Sequence, residues 1–175
     1  ENRRDDVKKY ISCAYIVNFV VISFVLVIGM RVIDAINFNK ALNIAEEVVS
    51  VGTLQQAFKL AFVSICLEFF LKTVLSIYQA LQKEIIASMV PLISTVLLLI
   101  FVSVVKIESM GQALIAVSSF YIFSINVPLI VLTIILFSTR LKDCRPSFQK
   151  WSFSVARGII TLGGLYFLIQ LFLLV

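Results

Sequence analysis

The chain has 175 residues, of which 61% are hydrophobic and 14% charged, and its mean hydropathy is +1.05. That composition excludes an ordinary soluble globular domain and implies an integral membrane protein of class all-α. The net charge of +5 is no nucleic-acid footprint, because the basic residues sit in short segments between apolar spans without an aromatic-basic surface pattern.

Residues 1–9, ENRRDDVKK, are a charged lead-in with neither an initiator Met nor a cleavable signal, so the sequence is expected to be a stretch of a longer protein. Residues 10–30 form the first apolar span, interrupted only by Asn18 and small hydroxyls. A mixed loop over 31–53 follows, with a short amphipathic helix expected over 41–49 and Asn39 as its cap.

The second span, 57–82, carries Glu68 and Lys72 in its interior. Its 26 positions extend about 39 Å, which puts Lys72 about 4 Å from the centre of the span. A charge at that depth costs roughly 2.5 to 3.5 kcal/mol, so it must face protein or water. Glu68, Lys72, Ser76, Gln79 and Lys83 recur at helical spacing on one face. Two readings of this stripe stand side by side: the wall of a hydrated cavity, and a structural ion pair at i, i+4 inside a bundle. Lys59, near the start of the span, is expected to snorkel to the interface.

Lys83 and Glu84 alone separate this span from the next, 85–105, which makes the two an antiparallel hairpin, with Pro91 kinking the second arm. After a loop at 106–112 the fourth span covers 113–138 around Pro128, and Ser119, Asn126 and Thr133 recur every seven residues as a weaker polar seam for interhelical hydrogen bonds. Residues 139–158 are basic, and Phe148, Trp151 and Phe153 among those charges suit the headgroup zone, where Lys and Arg meet anionic lipid. The fifth span, 159–175, offers Gly163 and Gly164 for close packing, with Gln170 on the face of Gly163.

Orientation follows from counting. With residue 1 on the cytoplasmic side, Arg3, Arg4, Lys8, Lys9, Lys83, Arg140, Lys142, Arg145, Lys150 and Arg157 lie inside and only Arg31, Lys40 and Lys106 outside. The polar stripe then opens toward the cytoplasm.

Catalytic and nucleotide signatures are absent: there is no GxxxxGK[ST], GxGxxG or HExxH, no acidic DxD-like loop pair, and no histidine to act as base or metal ligand. Cys13, Cys66 and Cys144 form no CxxC pair and read as small apolar fillers. The expectation is therefore a non-enzyme without metal or cofactor, a transporter whose cavity accepts something anionic. Lys72 is its candidate cation, Glu68 tunes it, and Gln79 and Asn126 supply hydrogen bonds.

The basic lead-in ending VKKYIS, the hairpin SIYQALQKEIIASMVPLIS, and the segment CRPSFQKWSFSVARGIITLGGLYFLIQ resemble the polysaccharide transporter family, the O-antigen and capsule repeat-unit flippases. The resemblance covers essentially the whole chain, and its most telling parts are ALQK at 80–83 and RPSF at 145–148. It implies a parent of about twelve to fourteen helices in two lobes, built on the repeat principle of secondary transporters. Residues 1–138 would supply four helices of the first lobe, 139–158 the cytoplasmic linker, and 159–175 the first helix of the second lobe. It further implies a bacterial inner-membrane location, a polyprenyl-diphosphate-linked oligosaccharide as substrate moved by alternating access, and glycan polymerases as partners. Where relatives often carry a basic residue in the helix opening the second lobe, this sequence reads Gly163, Gly164, Leu165, Tyr166. Either Lys72 and Arg157 take more of the anion-binding role, or the substrate is handled differently.

Other classes fit less of the sequence. A drug or small-solute exporter of the same superfamily is the nearest, though a cation exporter should show net acidic intramembrane residues. A membrane-embedded glycan polymerase or acyltransferase would need an acid, a histidine or an arginine cluster in long outer loops, and the loop at 31–53 carries none that convinces. A passive scaffold would use the Glu68 to Lys72 pair only to fix helix register.

Overall fold

The computed structural model describes residues 2–106 and 109–174, with side chains for 4–106 and 109–165. Every regular element among the described residues is helical: α1 (Asn2–Ala35), α2 (Phe38–Leu42), α3 (Val51–Leu71), α4 (Thr73–Ala80), α5 (Glu84–Val104), α6 (Met110–Thr139) and α7 (Phe153–Leu174), with two 3-10 turns at Lys142–Cys144 and Phe148–Lys150. Among the described residues four stretches are long and apolar enough to cross a membrane, Arg4–Ala35, Val51–Ala80, Glu84–Val104 and Met110–Thr139. The chain is a multi-pass helical membrane protein, the architecture in which every backbone group inside the bilayer finds a partner within its own helix.

Local chemistry sets where these helices begin and end, and it moves several expected boundaries. α1 takes up the charged lead-in, since no Gly or Pro interrupts it and Asp5 in the first turn suits the positive end of the helix dipole. In the following loop Asn37, not Asn39, is the cap, its side chain accepting from the Lys40 N–H at 3.2 Å. The short helix accordingly covers 38–42 instead of 41–49 and closes on Asn43 in the left-handed region, φ 54°. Asn39 is buried and donates to the Val49 carbonyl at 2.8 Å, tying the loop to itself.

Ser50 starts α3 six residues before the expected 57, because its hydroxyl accepts from the Thr53 N–H at 3.3 Å. The hairpin between α4 and α5 turns on Gln82, whose φ of 58° is left-handed, while the Lys83 N–H reaches back to the Tyr78 carbonyl at 2.9 Å. α5 then begins within one residue of the position expected, and α6 extends the fourth span at both ends. Residues 107 and 108 of the expected loop lie outside the described residues.

The chain packs as two compact units, residues 22–134 and residues 1–21 with 135–175. In the larger unit α1 meets α3 at Gly29, where a Cβ would overlap the Phe62 ring. α2 is pinned to α3 by Phe38 stacked on Phe58 at 4.0 Å, and α5 to α6 by Phe101 stacked on Phe120 at 3.9 Å. Lys59, the residue expected to snorkel, pairs with Asp34 at the C-terminal end of α1, and Gln55 donates to the Ile33 and Asp34 carbonyls beside it. The lysine is held because α1 runs on to Ala35 and brings a carboxylate within reach.

In the smaller unit, α7 begins at Phe153 and so absorbs the end of the expected linker. The linker itself is stitched to α1: the Ser147 N–H donates to the buried Ser12 hydroxyl at 3.0 Å, and the Ser152 N–H meets the buried Cys13 sulfur at 3.3 Å. Among the described residues nothing lies within 4 Å of a Cβ built at Gly163 or Gly164, the two positions expected to pack closely. The side chains of Tyr166 and Gln170 lie outside the described residues.

Candidate functional site

Within the larger unit a cavity of about 260 Å³ opens between the α3–α4 junction, α5 and α6. Its charged wall is Glu68 and Lys72. The Lys72 ammonium lies 2.8 Å from Glu68 Oε1, and the two are one helical turn apart. The lysine side chain is 47% exposed and the glutamate 16%, so the carboxylate is the deeper partner. The ammonium also stands 5.9 Å from the centroid of the Phe69 ring, a favourable place for a cation on an aromatic face.

The backbone changes character at this point. Lys72 separates α3 from α4, and its carbonyl accepts from the Leu75 N–H at 2.9 Å and from the Ser76 N–H at 3.4 Å. The shorter of these is a 3-10 bond inside an otherwise α-helical span, a tightening that often marks a functional hinge. Because α3 starts early, the midpoint of the Val51–Ala80 stretch falls between Ile65 and Cys66. Lys72 is thus about 10 Å from the midpoint, not the expected 4 Å, and Glu68 takes the place nearest the middle, about 4 Å away.

The other two walls supply hydroxyls and a proline. From α5 come Val90, Pro91, Ser94, Thr95 and Leu98, successive positions of one helical face. Pro91 has no N–H to offer the Ala87 carbonyl, and the Thr95 hydroxyl donates to the Pro91 carbonyl at 2.9 Å. α6 contributes Tyr121, Ile125 and Leu129, spaced four residues apart. The Lys72 ammonium, the Ser94 and Tyr121 hydroxyls and the aliphatic walls can hold a small anionic group by charge and hydrogen bonds while keeping its apolar remainder dry, with Glu68 as the group that competes for the ammonium. Among the described residues no three side chains with metal-ligating atoms converge.

Of the residues expected at the site, the structure brings Glu68 and Lys72 together on the cavity and leaves the others off it. Gln79, like Ser76, is exposed and does not line it. Asn126 is 2% exposed, and its amide nitrogen is spent on the Ser64 hydroxyl at 3.2 Å and the Ile122 carbonyl at 3.0 Å. It therefore serves the interhelical seam, joining α6 to α3, where the seven-residue spacing had put hydrogen bonding. Thr133, by contrast, bonds the Leu129 carbonyl of its own helix at 2.7 Å. Arg157 is exposed on α7, in the smaller unit.

Sequence reasoning passed over Tyr121, Ser94 and Thr95. The available signal was the alignment of Ser94 and Thr95 one turn after Pro91, and of Tyr121 on the face that carries Ile125 and Leu129. The chain matches no family model, no curated protein and no solved structure.

Proposed function

We propose that the chain is part of a flippase that moves a polyprenyl-diphosphate-linked oligosaccharide across the bacterial inner membrane by alternating access. The observation that carries the reading is the Lys72 ammonium, half exposed on a cavity inside the membrane-spanning part of the chain. A diphosphate is the anion such a cation would attract, and in a low-dielectric wall it would do so far more strongly than in water. Ser94 and Tyr121, whose hydroxyls are not engaged elsewhere among the described residues, would complete the polar contacts, and the hairpin of α4 and α5 around Lys72 and Pro91 would supply the bending.

The geometry speaks against a passive scaffold, because both partners of the Glu68 to Lys72 pair belong to one helical turn and fix no register between helices. That task falls to Ser64 with Asn126 and to Asp34 with Lys59. A cation exporter is disfavoured by the balance of one acid and one base on the cavity.

The test is export of the surface glycan in cells carrying the full-length protein, with Lys72→Ala beside Lys72→Arg. Export is lost in the first at normal amounts of folded protein and retained in part in the second. Normal export with Lys72→Ala would remove the anion-site role.

A further inference from the structure

The segment between α6 and α7 is pinned against the N-terminal half of α1, and the pinning sorts its charges. Asp143 pairs with Arg4 at 3.4 Å and Lys150 with Asp5 at 3.1 Å. The segment's one acid and one of its four bases are thereby engaged. Arg140, Lys142 and Arg145 remain, all exposed. Arg145 bends back so that its Nε donates to the Phe137 carbonyl at 3.3 Å, which brings the guanidinium to the last turn of α6. Its two terminal nitrogens make no hydrogen bond among the described residues.

Depth and aromatic content decide what these bases meet. α6 is apolar up to Phe137 and ends at Thr139, so Arg140 stands where a membrane span leaves the hydrocarbon. Phe148 is 81% exposed, Phe153 75% and Trp151 44%. In water such aromatics would be a liability, whereas at the level of the glycerol and headgroups their rings are stable.

We infer that residues 140–153 form a docking surface for anionic phospholipid, with headgroup phosphate held by Arg140, Lys142 and Arg145 and the Phe148 and Trp151 rings set among the upper acyl carbons. The inference rests on the membrane-spanning helices and on this segment alone, so it stands or falls apart from the transport reading. Each base near an anionic surface adds attraction that salt screens, so the surface should enrich anionic over zwitterionic lipid severalfold.

Trp151 is the only tryptophan of these 175 residues, and with any tryptophan outside them changed to Phe it is the reporter. The full chain is reconstituted into phosphatidylcholine vesicles containing a minor fraction of either phosphatidylglycerol or phosphatidylcholine brominated on acyl carbons near the glycerol. Quenching of Trp151 is expected to be at least about twofold stronger with brominated phosphatidylglycerol, and the difference to vanish in molar salt. Combined Arg140→Gln, Lys142→Gln and Arg145→Gln removes the preference while quenching by brominated phosphatidylcholine persists, which shows the segment still folded at the interface. The lysine variants Arg140→Lys and Arg145→Lys retain it. Equal quenching by the two lipids overturns the headgroup site; absence of quenching by either shows that water or another protein covers Trp151, and overturns the lipid surface altogether.

Discussion

Lys72 and Glu68 face one another across 2.8 Å on a single helical turn, the carboxylate mostly buried and the ammonium half open. An i, i+4 pair with one partner so exposed contributes less than about 1 kcal/mol to folding. Its larger effect is on the cavity, where Glu68 occupies the position an incoming anion would need beside the lysine. Glu68→Gln keeps the side-chain volume and removes that competitor. The thermal midpoint in detergent should fall by less than about 4 °C, while pyrophosphate binding to the purified protein tightens severalfold. A large loss of stability with unchanged pyrophosphate binding would assign the pair to structure alone.

The hydrogen bond from Asn126 to Ser64 joins α6 to α3 in a buried setting. Such bonds between membrane helices average about 0.6 kcal/mol and seldom exceed about 1.7 kcal/mol. A double-mutant cycle of Ser64→Ala and Asn126→Ala, followed by unfolding in mixed micelles, should return a coupling in that range. Export should survive Asn126→Ala wherever the protein still folds, since the side chain does not line the cavity. Loss of export from a well-folded Asn126→Ala protein would return Asn126 to the site.

How far the sequence discloses this arrangement depends on the range of the interaction. Apolar run length finds the four long membrane-crossing helices, and the Glu68 to Lys72 pair is readable because its partners are four residues apart. The cap at Ser50 is local too, but the hydropathy pattern that assigns the helix start to 57 carries no trace of one hydroxyl, and the error displaces the span's midpoint by several residues. Asp34 with Lys59, and Ser64 with Asn126, are separated by 25 and 62 residues (59 − 34 and 126 − 64). Nothing short of helix packing brings them together. For the same reason Tyr121, one hydroxyl in a run that also holds Ser118, Ser119 and Ser124, gains its meaning only when α3, α5 and α6 converge.

At Gly29 α1 lies directly against the Phe62 ring of α3. A methyl at this position would run into the Phe62 ring. Gly29→Ala should therefore destabilise the protein by about 1 to 3 kcal/mol, the usual cost of overpacking. Adding Phe62→Leu to Gly29→Ala should recover part of that loss, because the shorter side chain makes room for the new methyl. Unfolding in detergent of the two single variants and the double variant measures this, and a neutral Gly29→Ala would mean that the ring swings aside without cost.

The balance of basic residues predicts which side each loop faces, and the cysteines make the prediction easy to check. Cys13, Cys66 and Cys144 are free and buried, at 0%, 4% and 5% exposure, so a membrane-impermeant maleimide applied to intact cells should label the native chain poorly. Lys40 and Gln149 are exposed, the first in α2 and the second in the segment before α7. With residue 1 on the cytoplasmic side, Lys40→Cys should be labelled in intact cells and Gln149→Cys only after the membrane is opened. The reverse pattern would invert the topology. It would also turn the end of the span nearer Lys72 outward, away from the leaflet in which a lipid-linked substrate is made, and the flippase reading would lose its direction of transport.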